Sequence, residues 1–221
     1  CMNRYNQIEE QADLGFAPDS SFPLTYAEKG LLQVKLHGPG WDDLPLQAGQ
    51  ALNVVPDKAT YAGYRLEELL PVLDQSGVQY SQTEDFVTVL GVSKHSKDAA
   101  EGVNAIVGLA ESLSLIQPHP ALLFIADAVG EDATGEALFG RITDEPSGDL
   151  SFNLATLVID QEQSEIGIDI RIPVLADKED LVARLQEIAA SYQLEYEEFD
   201  YLAPLYVPLD SPLVSSLMAV Y

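Results

Sequence analysis

Glu165-Ile-Gly-Ile-Asp-Ile-Arg-Ile-Pro-Val174 reads as a β-strand closed by a proline, and its neighbours decide the fold. Upstream, Asp149-Leu-Ser-Phe-Asn-Leu-Ala-Thr-Leu-Val-Ile159 is a second strand, joined to it by a polar turn. Downstream, Asp177-Lys-Glu-Asp180 opens a helix with apolar positions at 181, 182, 185, 188 and 189, and a strand follows from Leu194 through Tyr206. The order is therefore strand, strand, helix, strand. Residues 30–93 repeat it. Gly30-Leu-Leu-Gln-Val-Lys-Leu-His37 alternates as a strand, with Ala51-Leu-Asn-Val-Val-Pro-Asp-Lys-Ala-Thr-Tyr61 as its expected partner across the loop Gly38-Pro-Gly-Trp-Asp-Asp43. A helix over 65–75, apolar at 66, 69, 70 and 73, precedes strands near 78–81 and 86–93. A proline closes the second strand of each half, Pro56 in one and Pro173 in the other.

This order predicts an α+β fold of two similar layers, each an antiparallel sheet with helices on one face, and not a doubly wound parallel sheet. The arrangement is a ferredoxin-like pseudo-repeat. Between the halves, Asp98 with Glu101 has the spacing of a capping box, and Val103, Ile106, Val107, Ala110 and Leu113 make one helical face. A further helix is expected over 120–128, then Gly- and acid-rich turns to Gly148. Residues 2–10 read as a short polar helix. Ser211-Pro-Leu213 starts another, with apolar spacing at 213, 214, 217 and 220. Both ends read as cut from a longer polypeptide.

The 221 residues are 47% hydrophobic, enough for a real core in one large domain or two small ones. With 36 acidic against 11 basic residues the net charge is -25, a field that repels phosphate backbones and anionic headgroups. Nucleic acid and membrane surfaces are poor partners for such a chain. The acidic residues are scattered, as on a solvated surface. One cysteine, Cys1, forbids an internal disulfide and suits a reducing cytoplasm. No apolar run is long enough to span a bilayer.

Chemistry has few candidates. The three histidines, His37, His95 and His119, stand in no metal-ligand spacing, and the chain has no P-loop, dinucleotide fingerprint or nucleophile elbow. His119, between prolines, and His37, before Gly-Pro-Gly, read as surface residues. Glu9-Glu10, Glu67-Glu68 and Glu197-Glu198 read as solvated faces. His95 sits where the strand ending at Lys94 gives way to a helix, a place suited to meeting an anion or developing oxyanion. Asp19, between Pro18 and Ser20 and flanked by Phe16 and Phe22, suits a metal, an Asx-turn or a helix cap.

Several motifs occur together and in order. Phe16-Ala-Pro-Asp-Ser-Ser-Phe-Pro23, Glu28-Lys-Gly30, Asn53-Val-Val-Pro-Asp57, His95-Ser96 with Glu101-Gly-Val-Asn-Ala105, Arg171-Ile-Pro173, Tyr206-Val-Pro208 and Ser211-Pro-Leu213 resemble the PepV-type (Xaa-His dipeptidase-like) dipeptidases. These are among the co-catalytic zinc exopeptidases that include aminoacylase and succinyl-diaminopimelate desuccinylase. The resemblance implies a hydrolase whose catalytic domain holds two zinc ions and whose inserted lid closes over a dipeptide cleaved from its free N-terminus. It implies residues 1–23 as a flank of the catalytic domain, 24–205 as the lid with halves at about 24–116 and 149–205, and 206–221 as the chain returning.

By the same resemblance, Asp19 matches a zinc ligand and His95 the lid histidine that stabilises the tetrahedral intermediate. Asn53 and Arg171 match the groups that orient the dipeptide and its carboxylate. An Arg fork holding a carboxylate and an imidazole N–H over an oxyanion are physically apt for that work. The family's His-x-Asp, bridging Asp, catalytic Glu-Glu pair and downstream His have no counterpart here. The partner is then the remaining catalytic domain of the same polypeptide, and this piece alone is expected to lack peptidase activity and to bind no zinc. An amino-acid-binding regulatory α+β module and a purely structural pairing domain are the competing classes.

Overall fold

The computed structural model describes residues 8, 10, 15–17 and 23–220. Asp19 and most of the expected helix over 2–10 lie outside the described residues. The principal strands are β1 (Gly30–Pro39), β2 (Leu46–Ala48), β3 (Lys58–Tyr61), β4 (Tyr80–Gln82), β5 (Val87–Leu90), β6 (Ser151–Ile159), β7 (Gln163–Ile172) and β8 (Glu195–Leu202). The longer helices are α1 (Leu66–Ser76), α2 (Ala105–Ser114), α3 (Lys178–Ser191) and α4 (Pro212–Val220). None is long and apolar enough to cross a membrane.

The α+β expectation is borne out: a five-stranded sheet in the order β8-β1-β7-β6-β2 and a three-stranded sheet β3-β5-β4, both antiparallel, pack with helices around one continuous core. The strand β7 explains the larger sheet. Ile166, Ile168, Ile170 and Ile172 are buried on one face, opposite Leu36, Val34 and Leu32 of β1. On the other face Glu165, Gly167, Asp169 and Arg171 point away from that core. Burying four isoleucines at about 1.5–3 kcal/mol each fixes the strand's register. Helix α3 lies under the apolar face, burying Leu181, Leu185 and Ala189 at four-residue spacing behind an Asp177 cap that accepts from Glu179 N at 2.8 Å.

Three local expectations change. The partner of β1 is not the 51–61 stretch but β7 and β8, and the 58–61 end of that stretch forms β3 in the small sheet. Pairing of sequence neighbours fails because the chain after Pro39 crosses the end of the β6–β7 hairpin. Trp41 N donates to Asp160 O at 2.7 Å, and β2 then joins the far side of β6. Gly40 permits that crossing, since a Cβ there would come within 2.5 Å of the Asp160 carbonyl oxygen. Second, residues 96–101 form a short 3-10 helix in place of the start of α2. Asn104 caps α2, accepting from Ile106 N at 3.0 Å and Val107 N at 3.3 Å, so Val103 falls outside the helix and is exposed.

Third, His119 is not a surface residue; it is 1% exposed and starts the helical segment at Pro120. Its Nδ1 accepts from Ala121 N at 3.2 Å while Nε2–H donates to Pro39 O at 3.0 Å, tying that segment to β1. His37 is half-buried on β1 beside Glu197 of β8 at 2.6 Å.

Candidate functional site

The polar face of the large sheet carries a row of buried groups across three strands. Register places Gln33, Asp169 and Asn153 side by side on β1, β7 and β6, with Arg171 and Ser151 one step along. Asp169 is 0% exposed, and a carboxylate so placed needs partners. Gln33 Nε2 donates to its Oδ2 at 2.8 Å, and Arg171 donates through Nε to Oδ1 at 2.8 Å and through Nη2 to Oδ2 at 3.2 Å. Two residues apart on one strand, Asp169 and Arg171 share a face and form this fork.

The fork leaves Arg171 with its inner edge engaged. Nη2 also donates to Ser96 Oγ at 3.2 Å, whereas Nη1 has no partner among the described residues. The side chain is 21% exposed. Its two Nη1 N–H groups are thus fixed in place and available to an anion.

His95 caps the 3-10 helix from an extended backbone, φ -68 and ψ 145. Its Nδ1 accepts from Lys97 N at 3.2 Å, which leaves the ring proton on Nε2 in the neutral tautomer. Nε2 has no partner among the described residues, and the side chain is exposed. A donor aimed by its own backbone is what an oxyanion requires.

Asn53 sits in the turn before the bridge between Val54 and His95. Its carbonyl accepts from Ser96 N at 2.9 Å, and Val55 N donates to Lys94 O at 2.8 Å. From beneath, Asn153 Nδ2 donates to both Leu52 O and Val54 O, at 3.0 and 3.1 Å. The carboxamide of Asn53 is left exposed and unengaged.

The structure thus brings Asn53, His95 and Arg171 together through Ser96. Asp19, the fourth expected site residue, lies outside the described residues. Among the described residues no group of three or more His, Cys, Asp or Glu side chains is placed to hold a metal ion. Sequence reading missed Ser96, Ser151, Asn153 and Asp169. The Asp-x-Arg spacing within a strand was the signal for Asp169; Asn153 needed the strand register.

A cavity of about 450 Å³ lies beside this loop, lined by Val55, Ala99, Asn104, Phe152 and Asn153 among others. His95, Asn53 and Arg171 do not line it. Asn53 and His95 are exposed, and the Arg171 side chain is 21% exposed.

No family model matches the chain. Along its whole length it is similar to curated relatives: 32% identical over 244 residues to "Putative dipeptidase YtjP" of Bacillus subtilis, and 27% identical over 246 residues to "Putative dipeptidase SH1171" of Staphylococcus haemolyticus. A third, "Putative dipeptidase MW1694" of Staphylococcus aureus, is 29% identical over 246 residues. The resemblance to dipeptidases read from the motifs is borne out. The chain spans about half the length of these relatives, 52% in each case. Among solved structures, the aminoacylhistidine dipeptidase from Vibrio alginolyticus aligns with TM-score 0.39 and 12% identity over 86% of this chain and 47% of its own. An M20 family metallo-carboxypeptidase from Sulfolobus solfataricus aligns with TM-score 0.32 and 13% identity over 87% of this chain and 48% of its own.

Proposed function

We propose that this chain is the substrate-holding lid of a dinuclear zinc dipeptidase, a hydrolase of the cytoplasm. Residues 24–205 form the lid, and residues 1–23 and 206–221 are flanks of a catalytic domain that supplies most of the metal site. Asp19 would be one zinc ligand within those flanks. Zinc held there would supply Lewis-acid polarisation of a scissile carbonyl and a lowered pKa for the attacking water.

The observation that carries this reading is the link from Asn53 O to Ser96 N and from Ser96 Oγ to Arg171 Nη2, which ties the segments bearing Asn53 and His95 to the Arg171 guanidinium. Arg171 Nη1 receives the dipeptide's terminal carboxylate, a role its engaged inner edge supports. The Asn53 carboxamide orients the peptide backbone. His95 donates from Nε2 to the oxygen that becomes negative as the tetrahedral intermediate forms. Lid closure excludes bulk water around them.

The test is a ¹⁵N NMR titration of the purified chain with Ala-Ala, Ala-Ala amide and free alanine. Ala-Ala should shift the Arg171 and Asn53 side-chain signals more strongly than the amide, which lacks the carboxylate. Equal response to dipeptide and amide refutes the role of Arg171. A stronger response to free alanine favours the regulatory module. With zinc added, the chain should release no alanine from Ala-Ala; turnover would overturn the lid assignment.

A further inference from the structure

We propose that Ser96 is a positioning residue that holds Asn53, His95 and Arg171 in a single arrangement; this rests on the substrate-binding reading above. Ser96 is 0% exposed and has no route to a substrate. Its polar atoms are instead divided among three separate elements. The N–H donates to Asn53 O at 2.9 Å, fixing the loop. The Oγ accepts from Arg171 Nη2 at 3.2 Å, fixing the guanidinium of β7. The carbonyl accepts from Ser151 Oγ on β6, anchoring the residue to the sheet. His95 is its covalent neighbour and caps the same short helix.

No other described residue bonds to both Asn53 and Arg171. Asn153 secures the loop through its flanking carbonyls but does not reach the guanidinium, and Asp169 holds the guanidinium but not the loop. Ser96 is therefore the direct hydrogen-bonded link between the carboxylate-binding and backbone-binding groups, added to the spacing that the sheet sets through Asn153 and Asp169. Misplacement by about 1 Å is enough to lose much of a site's effectiveness.

Two substitutions separate its bonds. Ser96→Ala removes only the hydroxyl. Ser96→Pro removes the N–H as well and sets the ring Cδ against the Asn53 carbonyl, so that it also pushes the loop away; the ψ of 145 at His95 itself suits a following proline. Ser114→Ala, which removes a buried hydroxyl elsewhere, is the control. Ala-Ala affinity is read by the NMR titration and folding by thermal melts. At about 1 kcal/mol per hydrogen bond, S96A should weaken binding about five-fold and S96P, which also displaces the loop, by more than about twenty-five-fold, with S114A unchanged.

S96A binding like wild type, or weakening matched by S114A at an equal fall in melting temperature, overturns the proposal. A wild-type chain blind to Ala-Ala sinks the substrate reading instead, and the ligand-free spectra then decide the linkage. S96A should move the Arg171 Nε–H signal and S96P both that and the Asn53 carboxamide signals. Asn53 signals unmoved by S96P overturn it.

Discussion

Arg171→Leu should be among the most damaging changes in the large sheet, because it strands a carboxylate. Asp169 is 0% exposed and would keep only the Gln33 donor, whereas Arg171, at 21%, has some reach to water. Removing one partner of a buried pair costs about 3–5 kcal/mol, a large share of the roughly 5–15 kcal/mol that holds a typical protein together. Asp169→Leu should cost less, about 1–3 kcal/mol, since the orphaned guanidinium can turn toward solvent. The double variant R171L/D169L leaves no buried charge and should lie within about 2 kcal/mol of wild type, well short of the sum of the singles. Urea unfolding at pH 7 followed by circular dichroism measures all four proteins. With a slope of about 1–3 kcal/mol per molar, the R171L midpoint should fall by at least about 1 M. An R171L loss under about 1 kcal/mol, or additive losses in the double variant, would refute this account of the fork.

Burial pushes the His119 imidazole below its ordinary value, and the bond to the Pro39 carbonyl only partly offsets this. As pH falls through the unfolded value near 6.5, the unfolded ring takes up a proton that the folded ring refuses, so stability falls toward acid by up to about 1.4 kcal/mol per unit. His119→Asn, which keeps a capping side chain, lacks that slope. The stability gap between wild type and H119N should narrow from pH 7.5 to 5.5, and a constant gap in urea melts contradicts the buried neutral ring. Asn104→Ala should cost about 2 kcal/mol, because Asn104 caps α2 with its oxygen and holds Leu154 O through its amide at 2.6 Å. A change below about 0.5 kcal/mol in the same assay shows the cap to be dispensable.

Much of this architecture was legible because burial has a period. The isoleucines of β7 and the apolar positions of α3 declare a strand and a helix without reference to anything distant. Pairing is not local. β1 carries a clean alternation that says which face is buried but not which strand lies beside it, and its partners came from over 120 residues away. The Asp98–Glu101 spacing misled because the bridge of Val92 to Val103 and the bond from Ala105 N to Pro56 O hold the chain out of α2 until Asn104. His119 was misjudged because flanking prolines signal a connector, and a connector packed beside Trp41 and β1 can still be interior. The candidate site residues come from motifs; Ser96 and Asn153 escape them because their bonds, to Arg171 and to the carbonyls flanking Asn53, join segments far apart in sequence.

β7 has the core on one face and the candidate site's charges on the other. Sliding that strand by a single residue against its neighbours would drive Asp169 and Arg171 into hydrocarbon and turn four isoleucines outward. A misregistered chain is therefore rejected by its own solvation energetics, and the fork cannot be slightly misplaced along the strand: it is in register or the domain is not folded. Variation that retunes the site has to come from the loop bearing Asn53 and the turn bearing His95, while the strand serves as the fixed ruler against which they are set.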